Sequence, residues 1–205
     1  MSKAKKLFVP IILGTPRQGR KSEHVAKLIF DRAKEHDAIE PKLFDVRDFQ
    51  FPKTGYGQEI KDQFPEYRDA VIKADGFILV APEYNHSFPG SLKSVIDLML
   101  PEYIHKAVAL CGVSAGGFGG TRVIEQMVNV VRELGMVVTF SDLNVSKVGS
   151  VFSDDGELLN EKLPERIDMM LGELAWMALS LRWGRGHIES KYHKCAPECE
   201  HLLFI

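Results

Sequence analysis

A polar segment near the start of the chain combines hydroxyl groups with three cationic side chains. It has the sequence GTPRQGRKS and covers residues 14–22. Thr15 and Ser22 supply the hydroxyls, and the apolar spacing of a helix begins directly after the segment. A helix N-terminus offers free backbone amides and the positive end of the helix dipole, and both favour an anion. We therefore expect a terminal phosphate to bind here; the alternative is a solvated basic turn in which Ser22 only caps the helix.

A second candidate segment, PEYNHSFPG at residues 82–90, places an aromatic ring and several hydrogen-bonding side chains between two prolines. The prolines make the loop stiff because each ring restricts φ. Such a loop can present backbone donors and acceptors to the edge of a planar heteroaromatic ring while apolar atoms cover a face of that ring. The alternative is a rigid connector in which Pro89 begins a helix and Tyr84 fills a surface gap.

The third segment, GVSAGGFGG at residues 112–120, has one bulky side chain, Phe118, so a ligand can approach its backbone closely. Its first five residues also match GxSxG, the nucleophile motif of serine hydrolases. A hydrolase would further need an acid and a histidine, for which Asp142 or Asp154 with His187 would serve by their order in the chain. An HGGG-like oxyanion segment is missing from the sequence before the motif, so hydrolysis is the less favoured interpretation.

Apolar runs and helical spacing alternate along the chain and predict the elements that position these segments. The predicted strands cover residues 7–13, 41–46, 76–81, 107–113 and 137–145. The predicted helices cover residues 22–36, 67–74, 92–100, 122–134 and 164–181. Pro10 interrupts the first strand, so we expect regular pairing mainly from Ile11 onward.

This alternation predicts an α/β fold, a doubly wound parallel sheet with helices on both faces. Five strands favour the flavodoxin-like order 2-1-3-4-5. We expect one domain over residues 1–183, followed by a C-terminal tail at residues 184–205. The three segments follow strands one, three and four, and ligands bind beyond the carboxyl ends of parallel strands. We therefore expect the segments to meet at one edge of the sheet.

Composition and charge argue against several classes of partner. The 205 residues carry 26 Lys and Arg against 28 Asp and Glu, and a net charge of −2 provides no broad cationic surface for nucleic acid. No apolar run approaches the roughly 20 residues that cross a bilayer. Three cysteines are too few for a disulfide framework, and their odd number fits a reducing compartment. We expect a cytoplasmic protein that binds neither nucleic acid nor a membrane.

Together, the three segments resemble those of the NADPH-dependent FMN reductase family of flavodoxin-like proteins. The motifs are GTPRQGRKS at residues 14–22, PEYNHSFPGSLKSVID at residues 82–97 and GVSAGGFGGTR at residues 112–122. The resemblance implies that the first loop holds the FMN phosphate and that the other two border the isoalloxazine ring. The residues it implies as FMN-binding are Thr15, Arg17, Ser22, Glu23, His24, Pro82, Glu83, Tyr84, Asn85, Ser114, Gly116 and Gly117.

The resemblance also implies an activity, namely hydride transfer from NADPH, or NADH, to FMN and electron transfer onward to a quinone, flavin, azo dye or similar small molecule. The protein would position the ring and supply no acid or base. One open ring face that serves two substrates in turn predicts ping-pong kinetics. The alternative is a flavodoxin-like electron carrier that binds FMN without nicotinamide turnover. The resemblance further implies a homodimer or homotetramer.

Two histidines and two cysteines lie within residues 193–201. Their HxCxxxCxH spacing is not a standard zinc pattern, so we expect no metal site and expect the tail to pack on a partner subunit or to be disordered. Trp176 and Trp183, in or just after the last helix, are better explained by core or interface packing than by ligand stacking.

Overall fold

The apolar runs form strands of one sheet in a computed structural model that describes residues 5–153 and 155–192. The strands are β1 (Leu7–Leu13), β2 (Ile39–Asp45), β3 (Gly76–Pro82), β4 (Ala107–Val113), β5 (Val137–Val138) and β6 (Leu143–Val145). The helices are α1 (Ser22–Glu35), α2 (Pro65–Lys73), α3 (Gly90–Ile96), α4 (Thr121–Glu133) and α5 (Leu163–His187). Most boundaries lie within two residues of those predicted from the sequence.

The sheet has the order β2-β1-β3-β4-β5, with β6 also paired to β4, and each described pairing is parallel. Helices α1 and α5 pack on one face of the sheet, and α2, α3 and α4 pack on the other. Successive strand residues point to opposite faces, so Ile11 and Leu13 enter the first core and Ile12 enters the second. The predicted flavodoxin-like α/β fold and strand order are confirmed.

The fifth strand is broken rather than continuous. Val138 pairs with Val108, and Leu143 pairs with Cys111, so residues 139–142 lie opposite only two residues of β4. This excess makes the edge of the sheet bulge outward and leaves Phe140 exposed. The apolar pattern over 137–145 could not show the break because Phe140 is apolar but points to solvent.

Pro10 lies inside β1 and pairs with Lys42 of β2 in regular register, so the expectation of late pairing is wrong on that side. The Phe8 amide donates to the Asp75 carboxylate on the β3 side. Since alternate residues of a parallel strand bond to the same neighbour, the missing N–H of Pro10 also faces β3. The pairing of β1 with β3 accordingly begins at Ile11.

Helix α5 continues through residue 183 to His187. Within the described residues, the length and apolarity that a membrane-spanning helix needs do not occur together in any helix. The cysteines and histidines of residues 193–201 lie outside the described part of the chain, and so the expectations about that tail stay predictions.

Candidate functional site

The loops after β1, β3 and β4 line one cleft of about 300 Å³ at the carboxyl edge of the sheet. Seven of the residues predicted to bind FMN line it: Thr15, Arg17, Ser22, Pro82, Glu83, Tyr84 and Ser114. The lining is completed by Gly19, Arg20, Lys21, Val113, Ala115 and Val148. A hollow of about 410 Å³ beside β2 is larger, but it contains none of the three segments and is lined by aromatic side chains such as Phe44 and Phe64.

Ser22 is the first residue of α1 and faces this cleft. Ser22 is 3% exposed, and its Oγ has no hydrogen-bond partner in the part of the chain that the structure describes. Lys21 occupies the N-cap position, so the alternative in which Ser22 only caps the helix is not what the structure shows. A buried hydroxyl without a partner is costly. An anion at the helix N-terminus would satisfy it and would meet the free amides of the first turn.

Arg20, one of the cations of the first loop, is already paired with groups of the protein itself. The buried Arg20 guanidinium pairs with the Asp45 carboxylate and donates to the Thr15 carbonyl, and its Nε lies 3.2 Å from Glu23 Oε2. Burial by itself raises the pKa of Asp45, but the hydrogen bonds from Arg20 and the Arg47 amide outweigh it and hold the pKa below its ordinary value. Arg20 therefore anchors the loop to the end of β2 rather than serving as a free cation.

Arg47, which lies outside all three sequence segments, fixes the same loop from the other side. Its Nε donates to the Pro16 carbonyl at 3.1 Å, and its Nη2 donates to the Arg17 carbonyl at 2.7 Å. The Arg17 side chain has no hydrogen bond or ion pair among the described residues, and Arg17 is exposed at the cleft. Arg17 is thus a cation available to an anionic ligand on a loop whose backbone is already held.

The second loop contains a tight turn at residues 84–87. Tyr84 and Ser87 exchange backbone hydrogen bonds of 2.8 and 3.0 Å around Asn85 and His86, whose φ angles are 49° and 68°. Positive φ at both central positions is the type I′ geometry, and Asn tolerates it better than most residues. Asn85 is exposed at the tip and does not line the cleft, whereas the Tyr84 hydroxyl points back toward the first loop and bonds to Thr15.

Arg122 of α4 joins the second loop to the third. Its Nη2 lies 2.5 Å from Glu83 Oε1, and its Nη1 lies 2.8 Å from His86 Nε2. The guanidinium also lies 5.0 Å from the centre of the Phe118 ring. The Glu83 side chain is only 7% exposed, so this cation compensates a nearly buried carboxylate. Arg122 belongs to the third sequence motif, but its role as a bridge to the second loop is not visible in the motif.

In the third loop, glycines without side chains let two backbone segments pack directly against each other. A Cβ on Gly120, whose φ is 77°, would lie 2.6 Å from the carbonyl carbon of Gly112. Gly116 and Gly117 are exposed and do not line the cleft, and a Cβ on either would meet no described atom within 4 Å. The Ser114 hydroxyl donates to the Gly116 carbonyl at 2.9 Å, which closes the loop on itself.

The arrangement does not favour a hydrolase. Among the described residues, the Ser114 hydroxyl bonds within its own loop, and the His187 ring stacks on Trp183 at a centroid distance of 4.6 Å. Asp142 is exposed in the connection between β5 and β6, and Asp154 lies outside the described residues. The GxSxG match is therefore not a nucleophile elbow. Close backbone packing against Gly120 requires Gly112, whereas Gly116 has no such constraint among the described residues.

Two predicted residues of the first loop make other contacts. The exposed Glu23 carboxylate pairs with Arg20, and the His24 ring packs against Phe152 at a centroid distance of 5.4 Å and beneath Gly156. Neither side chain lines the cleft. Glu23 and His24 nevertheless occupy the first turn of α1, where backbone amides are free of intrahelical partners.

The cleft beneath the three loops lies at the switch point of the sheet, where β1 and β3 are neighbours. This sheet order and this position of the cleft define a flavodoxin-like α/β protein, a class that binds ligands at the switch point. Within that class, the chain belongs to the NADPH-dependent FMN reductase family, whose family model matches residues 9–149. The resemblance noted in the sequence is confirmed. FMN and NADPH are the cofactor and reductant of this family, and the unsatisfied Ser22 hydroxyl at the helix N-terminus fits the phosphate of FMN.

Individual relatives agree with this assignment. An NADPH azoreductase of Bacillus sp. (strain OY1-2) is 34% identical over 120 residues, which are 57% of this chain and 64% of that protein. A probable NADPH:quinone oxidoreductase 2 of Oryza sativa subsp. japonica is 28% identical over 87% of this chain and 92% of its own length. The solved structure of FerB, an NAD(P)H:(acceptor) oxidoreductase from Paracoccus denitrificans, superposes with a TM-score of 0.68 at 20% identity, covering 83% of this chain and 98% of its own, and supports the fold.

Proposed function

We propose that the protein uses NADPH or NADH to reduce a quinone or an azo compound by way of FMN bound in the three-loop cleft. Family membership supports the cofactor and the reductant, and the names of the azoreductase and quinone oxidoreductase relatives support the acceptor class. The observation that carries the proposal is the buried Ser22 hydroxyl, which lacks a partner in the described structure at the N-terminus of α1.

The first loop is proposed to bind the phosphate. Ser22 would donate its hydroxyl proton, Arg17 would supply the positive charge, and the first-turn amides of Glu23 and His24 would complete the cradle. Arg47 holds the loop backbone through the carbonyls of residues 16 and 17. The site is thus organised before the ligand arrives, which reduces the entropic cost of binding.

The second and third loops are proposed to hold the ring through Pro82, Glu83, Tyr84 and Ser114, which line the cleft. The exposed Asn85, Gly116 and Gly117 do not line it, and they are proposed to contact the part of the ring that extends out of the cleft. When bound, FMN supplies the ability to take up hydride and to release electrons singly or in pairs. The protein orients it, and the Arg122 bridge keeps the two loops at a constant separation. Exposed glycines in the third loop leave room for two substrates to reach the site in turn, which favours ping-pong kinetics.

We also propose that the protein acts in the cytoplasm as a homodimer or homotetramer. The odd cysteine count and the absence of a long apolar run in the sequence support the first part, and family resemblance supports the second. The acceptor is a small molecule rather than nucleic acid, since the net charge is −2.

Titrating FMN and riboflavin into the Ser22→Ala protein tests the phosphate site. Loss of one charge-assisted hydrogen bond should weaken FMN binding about tenfold and leave the affinity for riboflavin, which has no phosphate, unchanged. The matched control is Ser94→Ala, because the exposed Ser94 hydroxyl bonds only within α3, to the Gly90 carbonyl. Equal weakening of both flavins, or of neither, would contradict the site.

Mixing the FMN-loaded protein with NADPH tests the reaction. Rapid bleaching of the flavin absorbance, followed by recovery when a quinone or azo dye is added, is expected of the proposed reductase. Persistent oxidised flavin would instead support the electron carrier. Parallel double-reciprocal plots would support ping-pong kinetics, and intersecting plots would reject them.

A further inference from the structure

Helix α5 is apolar on two opposite faces. One face, with residues such as Ile167, Leu171 and Leu174, is buried against the sheet. The other carries Met169, Trp176, Leu179 and Trp183, which are 57%, 64%, 43% and 55% exposed. A helix that is apolar all round is normally covered on both sides. The exposed apolar area of these four side chains is of order 500 Å², a size at which patches on monomers are often functional.

The exposed residues have a symmetric spacing. Met169 and Trp183 each lie seven residues from Trp176, two turns before it and two turns after it, so the three share one stripe of the helix. Four residues to either side of Trp176 lie the small residues Gly172 and Ser180. We call this surface, from Met169 to Trp183, the α5 stripe.

We propose that the α5 stripe is the contact surface for a second copy of this chain, with the two α5 helices antiparallel across a twofold axis at Trp176. In a twofold contact, residue i meets residue j of the other copy and j meets i. Trp176 would then meet its own counterpart, and Met169 would meet the partner's Trp183. Gly172 and Ser180 would face each other, which lets the helices approach closely beside the large side chains.

Charge and area agree with this arrangement. Glu165 and His187 lie eleven residues on either side of Trp176, so an antiparallel pair places the acidic end of one stripe beside the histidine end of the other. The helix dipoles also oppose each other favourably in an antiparallel pair. Two stripes together would bury on the order of 1,000 Å², which meets the lower bound for a specific interface.

Residues 193–205, which follow α5 in the sequence, could also cover the stripe, but the apolar part of that segment is too short. It consists of residues 202–205, which span at most about 14 Å when extended. The stripe runs over fourteen residue steps of helix, about 21 Å. A second copy supplies a surface of matching length and matching spacing, and the tail does not.

The inference rests on the proposed homo-oligomer and not on the redox activity, so the two can fail separately. Light scattering or sedimentation of the full chain at micromolar concentration should give an oligomeric mass, and Trp176→Glu should halve it while FMN absorbance is retained. Ile72→Glu is the matched control, since Ile72 is 56% exposed on α2 and its variant should keep the full mass. A monomeric wild type, or an unchanged mass in Trp176→Glu, would overturn the proposal.

Crosslinking gives a second readout that does not depend on loss of structure. In the full chain with Cys195 and Cys199 replaced by Ser, Trp176→Cys should form a covalent dimer with a short bis-maleimide, because a residue on the twofold axis meets itself. Ile72→Cys should not. A third experiment deletes residues 193–205, and the mass of the assembly should stay unchanged. If the deletion instead turned a monomer into a dimer, the tail would be what covers the stripe, and the proposal would be overturned.

Discussion

The Tyr84 hydroxyl lies 2.8 Å from Thr15 Oγ1, so a single hydrogen bond joins the loop after β3 to the loop after β1. The two residues are 69 positions apart in the chain, and both line the cleft. The second loop is joined to the third by Arg122, and the first is held by Arg20 and Arg47. The cleft therefore has a polar link at each junction, and its shape depends on side chains as well as on the sheet.

Tyr84→Phe removes the link between the first two loops. A neutral hydrogen bond contributes about 1 kcal/mol, so we expect the dissociation constants of FMN and riboflavin both to rise about fivefold. Thr15→Val should have a similar effect, and the double variant should be little worse than either single one. Flavin fluorescence titration measures this, with the exposed Tyr192→Phe as control. Additive losses would show that the two residues act separately.

Arg122→Ala leaves the nearly buried Glu83 carboxylate without its cation. We expect the free energy of unfolding to fall by about 2 kcal/mol and FMN binding to weaken. Adding Glu83→Gln to this variant removes the uncompensated charge and should recover part of both losses. Urea denaturation and flavin titration of the two single variants and the double variant check the coupling. A double variant worse than Arg122→Ala alone would mean that the pair does not act as an ion pair.

Two glycines of the third loop should respond differently to the same substitution. Gly120→Ala places a Cβ 2.6 Å from the carbonyl carbon of Gly112 at a φ of 77°, and we expect a loss of about 3 kcal/mol or failure to fold. Gly116→Ala meets no described atom within 4 Å and should cost less than about 0.5 kcal/mol. Thermal denaturation compares them, and similar losses at both positions would contradict the close approach seen at Gly120.

Stability should depend on pH through Lys106, whose Nζ donates to the carbonyls of Val71 and Ile72. Burial, with the nearby Arg185 charge, lowers the pKa of Lys106 to about 8, against the partial opposition of Asp75 and Glu102. Between pH 8 and the ordinary value of 10.5 the unfolded chain binds more protons than the folded one, so this group makes the free energy of unfolding rise with pH in that window.

The measurement is the difference in the free energy of unfolding between the wild type and Lys106→Met at several pH values. We expect the wild type to gain up to about 3 kcal/mol relative to the variant from pH 8 to pH 10.5. Below pH 8 the difference should be constant. A difference that stays constant over the whole range would show that the ammonium group is not desolvated in the folded protein.

The candidate site illustrates which kinds of contact sequence patterns can show. The three loops were located because glycine, proline and hydroxyl-rich segments follow apolar runs, and parallel strands place such segments at one edge. The ion pair between Arg20 and Asp45 was not visible in the sequence, since the partners are 25 residues apart and the pair depends on how β2 ends. The outward position of Asn85 depends on a tight turn, and the role of Arg122 depends on the packing of α4 against the second loop.

The amino-acid sequence by itself determined the alternation of strands and helices, the strand order, the family and the three segments that form the cleft. The alternation and the three segments follow from local periodicity and composition, which are properties of neighbours in the chain. The strand order follows from the number of alternating strands, and the family follows from the resemblance of the three motifs to those of known proteins. Only the tertiary structure decided where the fifth strand breaks, which arginine remains free for an anion, that the Ser22 hydroxyl is buried without a partner, and that Trp176 lies exposed on α5. Each of these depends on contacts or solvent exposure set by residues far away in the chain.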